Sequence, residues 1–270
     1  MSDATASSSN RAPHVAVGLL SALLIGAALA PTLAPYAMDA LDLANRRASP
    51  SSLHWFGTDE LGRDLLTRVL YGARVSLAIG LISAIVSAAI GVAIGAIAGY
   101  AGKWADDVLM RVTDAMLAIP RLPLLMISAA VLQPSVPLLV LMVGLAGWME
   151  TARVVRAEVM SLAARDFVSA ARAIGATPLR VIIRHVLPGV VPAASVATTL
   201  AVGRGILLES ALSFFGVGVQ PPTASWGNML YQAQTTMTSE PWLAIFPGVM
   251  IFLTVLACNA VGDAIGAARS

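Results

Sequence analysis

The sequence predicts an all-α polytopic membrane protein with about six transmembrane helices and a polar helical hairpin on the cytoplasmic side. Two observations carry the prediction. Of the 270 residues, 57% are hydrophobic and 12% charged, against about 25% charged in soluble domains. A soluble chain of this size would need far more polar surface to cover its core. The apolar residues also gather into long windows, with most arginines in the segments between them. The most charged helix pair, DFVSAARAIGATPLRVIIRHVLP from Asp166 to Pro188, sits between two such windows.

A hydrocarbon core of about 30 Å needs about 20 mostly apolar helical residues. The first window that qualifies runs from Val15 to Tyr36. Its small-residue ending, Ala34 to Ala37, also fits a cleaved signal peptide, but the apolar run exceeds the usual length and only Arg11 precedes it as a basic residue. The second window spans Val75 to Tyr100, the third Val112 to Leu132 and the fourth, shorter, Val136 to Thr151. Pro120, Arg121 and Pro123 predict a kink in the third, or a later start. The fifth covers Val190 to Val217 and the sixth Trp242 to Ala264. The resulting organisation is a cytoplasmic tail (1–14), a first span (15–37), an extracytoplasmic segment (38–74), a core (75–265) that contains a loop at 153–189, and a cytoplasmic tail (266–270). Met1 to Asn10, rich in Ser and Ala, reads as a disordered tail.

Basic residues bear on orientation, with both termini inside as the expected arrangement, but do not settle it alone. The 153–189 loop holds Arg153, Arg156, Arg165, Arg172, Arg180 and Arg184 but only Glu158 and Asp166 as acids, a bias that retains a loop in the cytoplasm. The 38–74 segment opposes this with Arg46, Arg47, Arg63, Arg68 and Arg74.

Within the hairpin, good helix formers run from Val159 to Ala173. Gly175 stands where a left-handed residue would end that helix. Thr177 before Pro178 reads as an N-cap followed by proline at the first helical position. The second helix, Pro178 to Leu187, would put Leu179, Ile182, Ile183 and Val186 on one face, with Arg180 and Arg184 on another, and Pro188 would stop it. Small alanines at a helix tip suit close insertion into a partner's groove. An ordinary interfacial loop explains the same residues equally well.

Ionisable residues inside a membrane face protein or an aqueous cavity. Arg204 and Glu209 fall in the fifth window, about 140° apart on a helix, so a direct pair is not expected. Each could line a path or make a structural contact. Outside, Gly57 and Gly62 flank a turn through Thr58 and Asp59, followed by a short helix expected to expose Arg63, Asp64 and Arg68. Pro221-Pro222 and Ser225-Trp226-Gly227 suggest a rigid turn with an interfacial tryptophan. Gly91, Gly95 and Gly99 form a stripe that lets helices approach closely.

Several classes are disfavoured. A net charge of +2 gives no footprint for nucleic acid, and lipid is the expected surroundings. Cys258 is the lone cysteine, and no Cys/His cluster has metal-ligand spacing. His14, His54 and His185 stand far apart at segment edges, where interfacial roles are expected. No GxxxxGK[ST] phosphate loop occurs, so the chain is not itself an ATPase. No paired acids or nucleophile arrangement suggests another enzyme.

The hairpin resembles the cytoplasmic "EAA" loop of bacterial binding-protein-dependent ABC importer permeases: Ala170, Ala171, Gly175, Leu187 and Pro188 fall on the motif. Ser169 replaces the glutamate that names it, and Gly189 stands where an asparagine often follows the proline. HWFGTDELGRDLLTRVLYGAR (His54 to Arg74) and ESALSFFGVGVQPPTASWGNML (Glu209 to Leu230) are similar to segments of the dipeptide/oligopeptide/nickel group, C-type subunit. The resemblance implies pairing with a homologous second permease, two cytoplasmic ATPase subunits and an extracytoplasmic solute-binding protein. ATP and Mg would be used by those partners, with no cofactor bound by this chain. It further implies that Ala170, Ala171, Arg172 and Gly175 dock in an ATPase groove. Leu187 and Pro188 would set the angle to the fifth span, and the Gly57–Asp64 segment would lie at the outer mouth. The rival class, a secondary transporter, would want an intramembrane ionisable relay, for which only Arg204 and Glu209 are available.

Overall fold

The computed structural model describes residues 12–132 and 135–267; the serine-rich stretch Met1 to Asn10 and the last residues of the C-terminal tail lie outside these. Among the described residues the regular structure is helical, with a single isolated bridge, Thr58 to Asp64. The expected all-α membrane architecture is what the chain adopts.

Helix α1 (Ala12–Ala28) has 17 residues, about 25 Å of rise. The Leu29 N–H still bonds Ile25 O at 2.8 Å, and a further turn, α2 (Ala30–Leu33), follows. Together they reach about 33 Å, enough for the hydrocarbon core. A long irregular segment with one 3-10 turn (Leu43–Asn45) leads to α3 (Leu65–Tyr100). This helix begins at Leu65, ahead of the window start at Val75, so residues 65–74 are helical. The Asp64 side chain sets the start by accepting the Thr67 N–H at 2.8 Å.

The third window begins earlier than expected and is broken. Helices α4 (Lys103–Ala118) and α5 (Arg121–Leu132) meet at 79°. Ile119 takes an extended ψ of 124° because Pro120 follows it, while Pro123 falls in the first turn of α5, where its missing N–H costs nothing. The fourth window is also bent: α6 (Val136–Leu145) and α7 (Trp148–Ala163) diverge by 41° around Ala146 and Gly147. Next come the hairpin helices α8 (Asp166–Ala173) and α9 (Pro178–Val181), then α10 (Leu187–Phe214), α11 (Trp226–Ala233) and α12 (Trp242–Ala267).

The bundle is organised around α3. Its glycine stripe packs on α7: a Cβ on Gly91, Gly95 or Gly99 would lie 2.6 Å from Thr151 Cβ, 2.5 Å from Ala152 O and 2.8 Å from Arg156 O respectively. On its other flank Gly80 meets α10, where a Cβ would be 2.4 Å from Ile206 Cγ1. One apolar cluster, with Ile79, Leu139 and Leu212 fully buried, joins α3, α6 and α10. A second, with Ala73, Ile206, Trp226 and Ile251, joins α3, α10, α11 and α12, and Ala27 brings in α1. Trp226 is therefore a core residue, 0% exposed, with its indole N–H on Val69 O at 3.1 Å, and not the interfacial anchor expected. Its aromatic area outweighs any gain at the interface once the N–H has a partner.

Candidate functional site

The hairpin has the termination chemistry that the sequence implies. Gly175 has φ +83°. Its N–H bonds Arg172 O at 3.0 Å, and the Ala176 N–H bonds Ala171 O at 3.1 Å, the paired closure of a Schellman motif. Thr177 Oγ1 then accepts the Arg180 N–H at 3.4 Å, with Pro178 leading α9.

Beyond that point the structure departs from expectation. Residues Ile182–Val186 form a π-helical turn, and the Leu187 N–H reaches back to Ile182 O. The wider turn accommodates the missing N–H of Pro188, which leads into α10 rather than stopping the second helix. The extra residue puts Val181 and Val186, five apart, on the buried side. Val186 is buried and Ile182 half-buried, whereas Leu179 and Ile183 are exposed; the single apolar face drawn at 3.6 residues per turn does not exist.

Val168, Ala171, Val181 and Val186 seat the hairpin against Val155 and Val159 of α7. Arg172 adds a latch, lying 4.9 Å over the Tyr100 ring with Nε 3.3 Å from its hydroxyl. Of the residues expected at the docking tip, Ala170, Arg172 and Gly175 are exposed, but Ala171 is only 5% exposed. Ala171 holds the hairpin to its own chain, because α8 must turn one face inward to bury Val168. Leu187 is half-buried and Pro188 exposed. The exposed apolar residues are Phe167, Ile174, Leu179 and Ile183, with Ile174 at 87%. Phe167 and Ile174 were missed in the sequence, where Leu179 and Ile183 were placed on the apolar face of the second helix; large apolar side chains near the turn glycine were the available signal.

The outer segment is a buried knot rather than an exposed short helix. Gly57 and Gly62 take φ of +82° and +77°, and a Cβ on Gly62 would sit 1.8 Å from Asp42 O. Thr58 accepts the Ala48 N–H at 2.8 Å and donates to Asn45 O. Asp59 accepts the N–H groups of Leu61 and Arg63 at 2.9 and 3.0 Å, and its other oxygen lies 2.6 Å from Arg63 Nε and 3.4 Å from Arg68 Nε. His54 Nδ1 is 2.9 Å from the Asp64 carboxylate, so this histidine is a buried partner and not an interfacial one. Arg63, Asp64 and Arg68 are buried, contrary to expectation, because Asp59 faces both guanidinium groups, His54 pairs with Asp64, and Arg68 Nη2 donates to Gln232 at 3.4 Å.

In the fifth span, Arg204 and Glu209 do not meet, as the helical angle requires. Glu209 is fully buried and accepts hydroxyls from Ser213 at 2.8 Å and from Ser76 of α3 at 3.1 Å. Ser76 Oγ in turn accepts the Trp226 N–H at 3.1 Å, so the carboxylate joins α3, α10 and the start of α11. Arg204 Nη2 instead lies 2.9 Å from Glu150 of α7, whose second oxygen is 2.8 Å from Arg121 Nη2 of α5.

Comparison with known proteins returns one consistent answer. The family model described as binding-protein-dependent transport system inner membrane component matches residues 91–268. A protein of Brucella suis biovar 1 named as a peptide permease is 40% identical over 256 residues, covering 94% of this chain and 85% of its own. The dipeptide transport system permease protein of Alkalihalophilus pseudofirmus is 37% identical over 254 residues, covering 94% and 84%. The glutathione transport system permease protein of Escherichia coli O6:K15:H31 is 41% identical over 242 residues, covering 89% and 80%.

Proposed function

Because this chain belongs to the binding-protein-dependent transport system inner membrane components, we propose that it carries peptides or closely related small solutes across the membrane, driven by ATP hydrolysis on separate subunits. The chain is the permease component of an ABC importer. In this reading it pairs with a homologous permease, receives cargo from an extracytoplasmic binding protein and has both termini in the cytoplasm. ATP and Mg are used by the two ATPase partners, whose closure pushes the hairpin and reorients the spans.

The observation that supports coupling through the hairpin is its two-sided construction. Valines and Ala171 bind its inner face to α3, α7 and α10, so it cannot move without moving the spans. Its outer face leaves Phe167, Ile174, Leu179 and Ile183 uncovered, and apolar residues on a cytoplasmic surface suit a partner's groove. Ala170, Arg172 and Gly175 lie on or beside that outer surface; Leu187 and Pro188 carry the motion into α10.

Gly175→Asp tests this. Nothing lies within 4 Å of a Cβ at Gly175, and aspartate tolerates left-handed backbone better than most residues, so the isolated chain should accept it. A carboxylate pressed into an apolar interface should instead lower ATP-dependent uptake in vesicles by about tenfold or more, with unchanged membrane insertion. Wild-type uptake by a correctly assembled Gly175→Asp transporter would count against the coupling role. Uptake that persists without ATP would favour a secondary transporter.

A further inference from the structure

Arg121, Glu150 and Arg204 come from three different helices and meet on a partly exposed side of the apolar bundle, where the Glu150 side chain is 39% exposed. Glu150 bridges the two arginines, one on each carboxylate oxygen, at 2.8 and 2.9 Å. One negative charge against two positive ones leaves an excess of +1. The arginine side chains are unequal: Arg121 is 20% exposed and Arg204 40% exposed. A guanidinium that open in the middle of α10 cannot face hydrocarbon, so this side of the bundle meets either water or protein.

The surroundings add to the positive potential. Arg121 opens α5 and Glu150 lies in the first turn of α7, so two helix N-termini end at the cluster. Beside it is a small cavity of about 20 Å³ lined by Ser87, Gly147, Arg121, Arg204 and Leu208. The hydroxyl of Ser87, a residue only 2% exposed, has no hydrogen-bond partner there. A Cβ on Gly147 would lie 2.6 Å from that hydroxyl, so the glycine keeps the space in front of it. The cavity holds about one water-sized group, which suits a single carboxylate oxygen.

We propose that Arg204, Arg121 and Ser87, held in place by Glu150, form an anion-receiving station on a water-filled transport path, selecting solutes that present a carboxylate. This rests on the permease reading above and names the chemical feature of the cargo. Arg204, the more exposed arginine, exchanges Glu150 for the arriving carboxylate while Arg121 keeps Glu150. No charge is left bare at any stage, and Ser87 donates to the incoming oxygen.

The test uses charged thiol reagents on the complete transporter in membrane vesicles. Leu208→Cys is placed in a Cys258→Ser background, and this chain's mass reports modification by sulfonatoethyl or trimethylammonioethyl methanethiosulfonate. The sulfonate should react about fivefold faster than the cation, as expected for one nearby positive charge in a hydrated site. Arg204→Ala and Arg204→Gln should each bring the ratio close to unity, and Arg204→Lys should restore it. Failure of either reagent to modify position 208, with or without ATP, would mean that the site is closed to water and would overturn the proposal. So would a reagent ratio that Arg204→Ala leaves unmoved. Loss of ATP dependence in an uptake assay would instead undo the functional reading and leave the reagent preference intact.

Discussion

Asp59→Ala is expected to cost this protein a large part of its stability. Asp59 is 5% exposed and supplies the anion facing both Arg63 and Arg68, which are 7% and 1% exposed. Removing one partner of a buried ion pair costs about 3–5 kcal/mol because a charge is left uncompensated, and here two arginines would share that fate. The same carboxylate also caps the N–H groups of Leu61 and Arg63. Against a typical stability of about 5–15 kcal/mol, the loss should lower the thermal midpoint of the detergent-solubilised chain by about 10 °C. Asp59→Asn should fall between the two, since it keeps an acceptor for the turn but not the charge. A midpoint for Asp59→Ala indistinguishable from wild type would show that the knot does not hold the start of α3.

Gly95→Leu should be at least as damaging, by a different route. The Cβ position of Gly95 is 2.5 Å from Ala152 O and 2.8 Å from Val155 Cβ. The first is a backbone atom in the middle of α7 and cannot turn aside. Overpacking a well-filled core costs about 1–3 kcal/mol even for small additions, and prising α3 from α7 also opens the contacts at Gly91 and Gly99. Chain that inserts but fails to elute as a single folded species on size exclusion is the expected result, with Gly95→Ala intermediate. A Gly95→Leu variant that purifies and unfolds like wild type would mean that the helices separate without penalty.

Both variants act at places the sequence marked unequally. The glycine stripe was legible as a packing face, because glycine at every fourth position of an apolar helix has few other uses. The outer knot was misread. Charged residues in a polar loop are expected to face water, and although the Asp59–Arg63 pair and the Asp64 cap are local contacts, nothing in them reveals that the segment is buried. Trp226 was misplaced for a similar reason: its partner, Val69 O, lies far away in the chain. The hairpin was legible at its turn, where Gly175, Thr177 and Pro178 act through backbone rules that need no neighbours. Its faces were not legible past Val181, because the π turn makes Val181 and Val186, five residues apart, the buried pair.

Hydropathy, proline and glycine placement and capping residues determined, by themselves, that this is a helical membrane protein with a polar hairpin between its spans. These signals are local or compositional, so a linear chain displays them in full. Only the tertiary structure decided which charges meet. Glu150 could have served either arginine or neither, and two bent helix pairs carry Arg121 and Glu150 to Arg204 of α10. That outcome depends on bend angles set by packing, and a sequence states where a helix can bend but not where the bend points.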